Sequence, residues 1–253
     1  GDAGRAAIEL ALEIGYRHLD TAQSYDTERT VGEAFRRSGL PRDDVFITTK
    51  VADTRLAPAD FMPSVRQSLD TLGVEQVDLL LIHWPVPDEA VPFESYMGAL
   101  KQAQDEGYAR LIGVSNFTIA HLERAAALIG PDAIVTNQVE IHPWLQVPRL
   151  RDHAAATGLQ LTAYQPLVKG QMAGDPVLGA IAAELGTSTA AIALAFLMAE
   201  GHVVIPASGS RENLQANFGA TAVTLTPEQM ATIRQLDRGY RHINPEKSPR
   251  WDD

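Results

Sequence analysis

Four polar residues carry most of the chemistry this sequence offers. Asp20, Tyr25, Lys50 and His83 each lie at or just past the end of a short apolar or β-branched run. The clearest run is 77–85, Val-Asp-Leu-Leu-Leu-Ile-His-Trp-Pro, in which five apolar residues and one Asp lead into His83, Trp84 and the chain-breaking Pro85. A short apolar run without alternation fits a strand buried on both faces, as in a parallel sheet. His83 then falls at the C-terminal end of that strand, where parallel α/β folds keep their reactive groups. A phenol titrates at about 10, too high for a ready acid at neutral pH. An ammonium beside it favours phenolate, which lowers the Tyr25 pKa and eases proton donation. Asp20 beside Lys50 fixes the ammonium, and His83 at the same oxygen orients a carbonyl. Such a set protonates an oxygen as hydride reaches its carbon, which is carbonyl reduction by general acid catalysis. Each residue alone has a plainer reading: Asp20–Lys50 as a structural ion pair, Tyr25 as a solvated loop residue.

The spacing says which elements hold them. Asp20 and Lys50 are 30 residues apart, and 33 residues separate Lys50 from His83 and His83 from Asn116. That is the length of one βα unit, so each unit delivers one polar residue to the same face. Apolar periodicity and Gly stops predict helices over 3–14, 27–37, 58–72, 93–106, 119–129, 148–156, 176–185, 188–199, 211–218 and 227–236. Strands are expected from 18 to near 20 and over 45–50, 77–83, 109–116, 134–140, 159–167 and 203–208. Strand and helix alternate throughout, which predicts a parallel sheet. A doubly wound sheet gathers such residues only at a switch point. Four contributing strands therefore favour the α/β (β/α)8 TIM barrel. Only seven strands are read, and residues 1–15 look like the helix that follows an absent first strand. The chain lacks an initiator Met and starts mid-pattern, so an N-terminal strand is expected in the natural protein.

With 253 residues and 45 % hydrophobic content, the chain can bury one large core. No linker or composition break divides it, so 1–253 reads as a single domain, with 237–253 as a tail near the active-site mouth. The net charge of −11 repels nucleic acid and anionic membrane. The absence of Cys excludes disulfides, thiolate catalysis and Cys-bound metal. No run of about twenty apolar residues is present, and no signal peptide is expected. A cytoplasmic protein is expected. His18, His121, His153, His202 and His242 show no ligand spacing, and no metal is expected. His142-Pro-Trp144 reads as loop packing.

The motifs together resemble the aldo-keto reductases. The matching stretches are 15–22 with Tyr25, Thr48-Thr-Lys50, 78–85, Ile112-Gly-Val-Ser-Asn-Phe117 and Asn137-Gln-Val-Glu140. Within that family the stretches 20–25, 112–118 and 211–214 are most similar to bacterial 2,5-diketo-D-gluconate reductases of the B type, also described as methylglyoxal reductases. The resemblance implies reduction of small aldehydes and ketones with NADPH. It implies Tyr25 as proton donor, Lys50 and Asp20 as its tuning pair, and His83 as orienter of the carbonyl. It implies that Ser115, Asn116 and Gln138 bond the nicotinamide carboxamide, with Tyr164 stacked on its ring; Leu167 and Gln165, which stands where the family often has Ser near the pyrophosphate, are further cofactor positions. The residues agree in chemistry: amides and hydroxyls match a carboxamide, and an aromatic face suits a flat ring. Ser208, Arg211 and Asn217 are implied at the adenosine end. Trp84 is implied to line the substrate pocket, with a buried structural role as the rival reading. The resemblance also implies a monomer. There is no GxGxxG fingerprint, and the family does not use one.

Some positions depart from the family. The Lys expected before Ser208 is Ala207, and the Arg expected five residues after it falls on Asn213. Arg211 can substitute, since a guanidinium pairs well with phosphate. NADH use therefore stays open beside NADPH. Ala52 stands where many relatives carry Trp, which widens the mouth. Two other readings compete. One is a cofactor-binding regulatory subunit on the same fold with little turnover, as in the potassium-channel β subunits that resemble these reductases. The other is a hydrolase or aldolase using Lys50 as a Schiff-base amine, which the adjacent Asp20 disfavours by keeping Lys50 protonated.

Overall fold

The computed structural model describes residues 1–252 and groups them into two compact units, 1–137 with 246–251 and 138–245 with 252. The first holds helix α1 (Asp2–Ile14), β1 (His18–Asp20), α2 (Glu28–Ser38), β2 (Phe46–Val51), α3 (Phe61–Leu72), β3 (Val77–Ile82), α4 (Phe93–Asp105), β4 (Ala109–Ser115) and α5 (Ile119–Ile129). Strand β5 (Ile134–Glu140) crosses the division. The second unit holds α6 (Pro148–Thr157), β6 (Gln160–Tyr164), α7 (Pro176–Leu185), α8 (Thr189–Ala199), β7 (Val203–Val204), α9 (Arg211–Gly219) and α10 (Pro227–Arg234). The seven strands and the alternation are those read from the sequence.

In the first unit β1, β2, β3 and β4 pair in chain order and in parallel, with Asp20 opposite Thr48, Lys50 opposite Leu81 and Ile82 opposite Val114. Leu80, Leu81 and Ile82 are wholly buried, as a strand covered on both faces demands. Asp78 interrupts that run because it is paired. Its carboxylate accepts from Arg42 Nη2 at 2.7 Å, from Arg110 Nη2 at 3.1 Å and from the Ile47 N–H at 2.8 Å. Burial pushes the Asp78 pKa up, but these donors outweigh it and hold it below the usual carboxylate range. Helices α2 and α3 meet backbone to backbone at Gly32, where an added Cβ would stand 2.1 Å from the Leu72 carbonyl oxygen. Gly113 serves β4 similarly: a Cβ there would meet Leu81 Cδ2 at 2.7 Å and Thr136 O at 2.8 Å.

In the second unit β6 and β7 are parallel, with Thr162 opposite Val203. Helix α8 is apolar all round because Ala191–Leu197 is buried on every side. No single helix among the described residues is long and apolar enough to cross a membrane.

Several strands stop earlier than the sequence predicts, for local reasons. β4 ends at Ser115 because Asn116 turns left-handed, with φ 62°. β6 ends at Tyr164 because Gln165 has φ 51°. β7 is two residues long; the Ile205 N–H still reaches the Ala163 carbonyl at 3.3 Å, and Pro206 then has no N–H to give.

Candidate active site

The C-terminal ends of β1, β2 and β3 bring the four expected residues together. Lys50, on the penultimate residue of β2, is completely buried; its Nζ donates to Asp20 Oδ1 at the end of β1 and to the Thr21 carbonyl at 2.9 Å. A short 3-10 turn, Gln23–Tyr25, follows β1 and ends on Asp26 in the left-handed region, φ 56°. Asp tolerates that conformation better than most residues. The turn lays the Tyr25 ring beneath the Lys50 ammonium, 5.0 Å from Nζ to the ring centre. Tyr25 Oη lies 3.3 Å from His83 Nε2, and the rings meet edge to face at 5.3 Å. His83 follows β3 directly and gives its backbone N–H to the Val51 carbonyl at 3.1 Å. The ion pair, the phenol and the imidazole thus form one cluster, built by three consecutive strands.

The electrostatics correct one expectation. Tyr25 was expected to titrate below 10, but its pKa is raised. Tyr25 is 49 % exposed, yet its hydroxyl end lies against His83 and Lys50. Desolvation there pushes the phenol up, the Lys50 charge pulls it down, and Asp20 pushes it up again. The carboxylate that fixes Lys50 also blunts it. His83 moves the other way, down to about 4, first through burial and then through the Lys50 and Lys247 charges. At neutral pH the site is a neutral phenol beside a neutral imidazole.

Asn116 has a job that the sequence did not reveal. Its amide Nδ2 donates to the His83 carbonyl at 3.0 Å and to Ser115 Oγ at 3.1 Å, with both residues buried. The left-handed backbone aims this amide, and Asn is among the residues that accept it. Asn137 similarly ties Phe117, donating to its carbonyl at 2.9 Å and accepting its N–H at 3.3 Å. Trp84 is 6 % exposed and packs edge to face on Trp251 at 6.2 Å. Lys247 Nζ sits 5.6 Å from the Trp84 ring centre and 2.9 Å from Asp53 Oδ2. Nothing local in the sequence signals these tail contacts. Ala52 is buried and gives its N–H to Gln23 Oε1 at 3.0 Å. Beside it opens a polar cavity of 510 Å³ lined by Gln23, Ser24, Asp53, Ser64 and Ser68 among others.

The remaining expected residues belong to the second unit. Gln138 is buried on β5, and Tyr164 and Gln165 are half-buried at the end of β6, followed by half-buried Leu167. Ser208 Oγ accepts the Ser210 N–H at 3.1 Å, and Ser210 caps the start of α9. Arg211 is exposed on the first turn of α9, and Asn217 is buried near its end. Glu140 is wholly buried. It pairs with His142 Nε2 at 2.9 Å and accepts the N–H groups of His242 and Ile243, each at 2.7 Å. Burial raises its pKa, but these donors win and the net shift is downward. His142 and Trp144 thus serve packing, with Trp144 Nε1 on Asp175 at 2.9 Å and Arg238 over its ring at 4.2 Å.

Residues 2–238 match the Aldo/keto reductase family. The chain belongs to that family. This aldo/keto reductase is 44 % identical over 248 residues to methylglyoxal reductase DkgB of Salmonella typhimurium, covering 98 % of this chain and 93 % of that protein. It is 37 % identical over 237 residues to an aldo-keto reductase of Mycolicibacterium smegmatis, covering 93 % and 85 %. Among solved structures, a candidate 2,5-diketo-D-gluconic acid reductase B superposes with TM-score 0.94 at 39 % identity, covering 99 % of this chain and 90 % of that one. A Bombyx mori aldo-keto reductase in complex with NADP superposes with TM-score 0.88 at 32 % identity, covering 96 % and 85 %. The fold is the (β/α)8 barrel of the family, with seven of its strands in the described residues. The chain is an oxidoreductase that acts on small carbonyl compounds with a nicotinamide cofactor.

Proposed function

We propose that this aldo/keto reductase reduces small aldehydes and ketones, methylglyoxal and 2,5-diketo-D-gluconate among them, to alcohols at the expense of NADPH. One observation carries the reading: Tyr25 Oη stands between the Lys50–Asp20 pair and His83 Nε2. Bound NADPH supplies the hydride to the carbonyl carbon. Tyr25 supplies the proton to the carbonyl oxygen. A phenol with a raised pKa still suffices, because the alkoxide that forms is a far stronger base than a phenolate. Lys50 then stabilises the phenolate left behind, and Asp20 holds Lys50 in place. His83, neutral at pH 7, orients the carbonyl without adding charge.

The donor set fits the cofactor. Ser115, Asn116 and Gln138 are buried hydroxyl and amide groups, the chemistry a carboxamide needs. Tyr164 offers a flat ring to stack, and Gln165 and Leu167, which follow it in the chain, are assigned to the cofactor as well. Arg211 and Ser208 stand where the Ser210-capped α9 begins, and a helix N-terminus favours phosphate. Asn217 is assigned to the adenine and Trp84 to the substrate. The protein is read as a cytoplasmic monomer of one domain, 1–253, whose 237–253 tail borders the mouth.

The test follows the loss of NADPH absorbance with methylglyoxal, and NADH in parallel. Tyr25→Phe should lower kcat by a factor of about 10² to 10⁴, the range of a general acid. Turnover surviving that change at near full rate removes Tyr25 as proton donor. Equal rates with NADH would show that Ala207 and Asn213 have relaxed the choice of cofactor.

A further inference from the structure

His83 touches Tyr25 through one ring nitrogen and Ser24 through the other. Tyr25 Oη lies 3.3 Å from Nε2, and Ser24 Oγ lies 3.2 Å from Nδ1. A neutral imidazole carries one proton, so one nitrogen donates and the other accepts. Two arrangements satisfy these distances. In one, Nδ1–H donates to Ser24 and Nε2 accepts the phenolic proton, which then points at the histidine. In the other, the Ser24 hydroxyl donates to Nδ1 and Nε2–H donates to Tyr25 Oη. The phenolic proton is then left to face the open half of Tyr25. Only the second arrangement leaves the phenol's proton available to a carbonyl.

The surroundings hold the ring for this choice. Its backbone is pinned on both sides, by Asn116 on the carbonyl and by Val51 on the N–H. The turn that carries Ser24 and Tyr25 is pinned through Gln23, which donates to Ser64 Oγ at 3.2 Å and Ser68 Oγ at 3.1 Å and accepts from Ala52. Among the described residues, Ser24 Oγ has His83 Nδ1 as its one hydrogen-bond partner. Lys50, a donor only, lies over the Tyr25 ring and is compatible with a phenolic oxygen that accepts twice.

We infer that Ser24 is a positioning residue: its hydroxyl donates to His83 Nδ1 and holds the ring in the Nε2–H form, which leaves the Tyr25 proton for the substrate. This rests on the reductase reading given above. The test labels the full chain with ¹⁵N-histidine, assigns His83 by the resonances lost in His83→Asn, and reads which ring nitrogen bears the proton. Nε2 should be protonated in the native protein. Ser24→Ala should give a mixture of the two forms and a fall in kcat for methylglyoxal of about 5- to 10-fold, the effect of one lost hydrogen bond. KM should barely move, and Ser24→Thr should restore both readings. A proton on Nδ1 in the native protein overturns the inference, as does a Ser24→Ala variant with unchanged tautomer and kcat. If the native protein reduces no carbonyl, the reductase reading falls while the ¹⁵N result still decides the role of Ser24.

Discussion

At the scale of single residues, the site is governed by one buried ion pair. Lys50 is fully buried and Asp20 is its carboxylate partner. Removing one member of such a pair strands a charge in a dry interior, which costs about 3–5 kcal/mol. Asp20→Asn should therefore lower the unfolding free energy by roughly that amount, read from urea denaturation, and also slow turnover. A variant as stable as the native protein would show that Lys50 finds another partner or loses its proton. These residues were legible in the sequence because each ends a strand, and strand ends converge whatever the side-chain detail. Ser24 and the amide of Asn116 were not legible as partners of His83. Their contacts depend on the rotation of a 3-10 turn and on a left-handed backbone residue, neither of which leaves a periodic trace. The direction of the Tyr25 shift was misread for a similar reason: the sequence places Lys50 and Asp20 nearby but does not say how much water the phenol loses.

At the scale of elements, close approach sets the tolerances. Gly32 lets α2 rest on the end of α3, where a methyl group would overlap the Leu72 carbonyl. A backbone carbonyl cannot swing aside as a side-chain tip can, so the helices must separate. Gly32→Ala should destabilise the protein by about 1–3 kcal/mol, although alanine is the better helix former. A raised Tm in that variant would refute the packing argument. The sequence marked this helix by its 3.6-residue period and its Gly stop at 39, and the observed α2 agrees within a residue at each end. The strands were legible by their apolar runs but less so at their ends. Asn116, Gln165 and Pro206 stop β4, β6 and β7 through backbone geometry, while hydrophobicity continues beyond them.

At the scale of the whole molecule, acid should unfold the protein in stages. His83 and His202 are both held down to about 4, mainly by burial. Unfolded, each would take up a proton at about 6.5. Below that value the unfolded chain binds more protons, so stability falls from pH 6.5 down through 4. Each histidine accounts for at most about 3 kcal/mol over that window. Asp78 and Glu140 shift downward instead. Their stabilisation is intact above the unfolded carboxylate range and fades only as pH drops through their folded values. Thermal unfolding from pH 7 to 4 should show a falling Tm, and His202→Gln should remove about half of that slope if the two histidines contribute equally. A flat profile would mean that neither imidazole stays neutral. The barrel class was legible in the chain because one polar residue per βα unit can be gathered at a single mouth only in a closed arrangement. The tail was placed near the mouth by its position alone; its contacts with Trp84 and Asp53 join residues too far apart in sequence for any local pattern to record.

Those tail contacts also give the protein an optical signal of its own. The chain has three Trp residues, and two of them, Trp84 and Trp251, lie ring to ring at 6.2 Å, with the Lys247 ammonium 5.6 Å from the first. Indole emission responds to nearby charge and to solvent. Lifting residues 246–251 would part the two indoles and withdraw the cation in one movement, changing the emission without any added dye. Trp144 is engaged elsewhere, with Asp175 and Arg238, and supplies a background that substitution can remove.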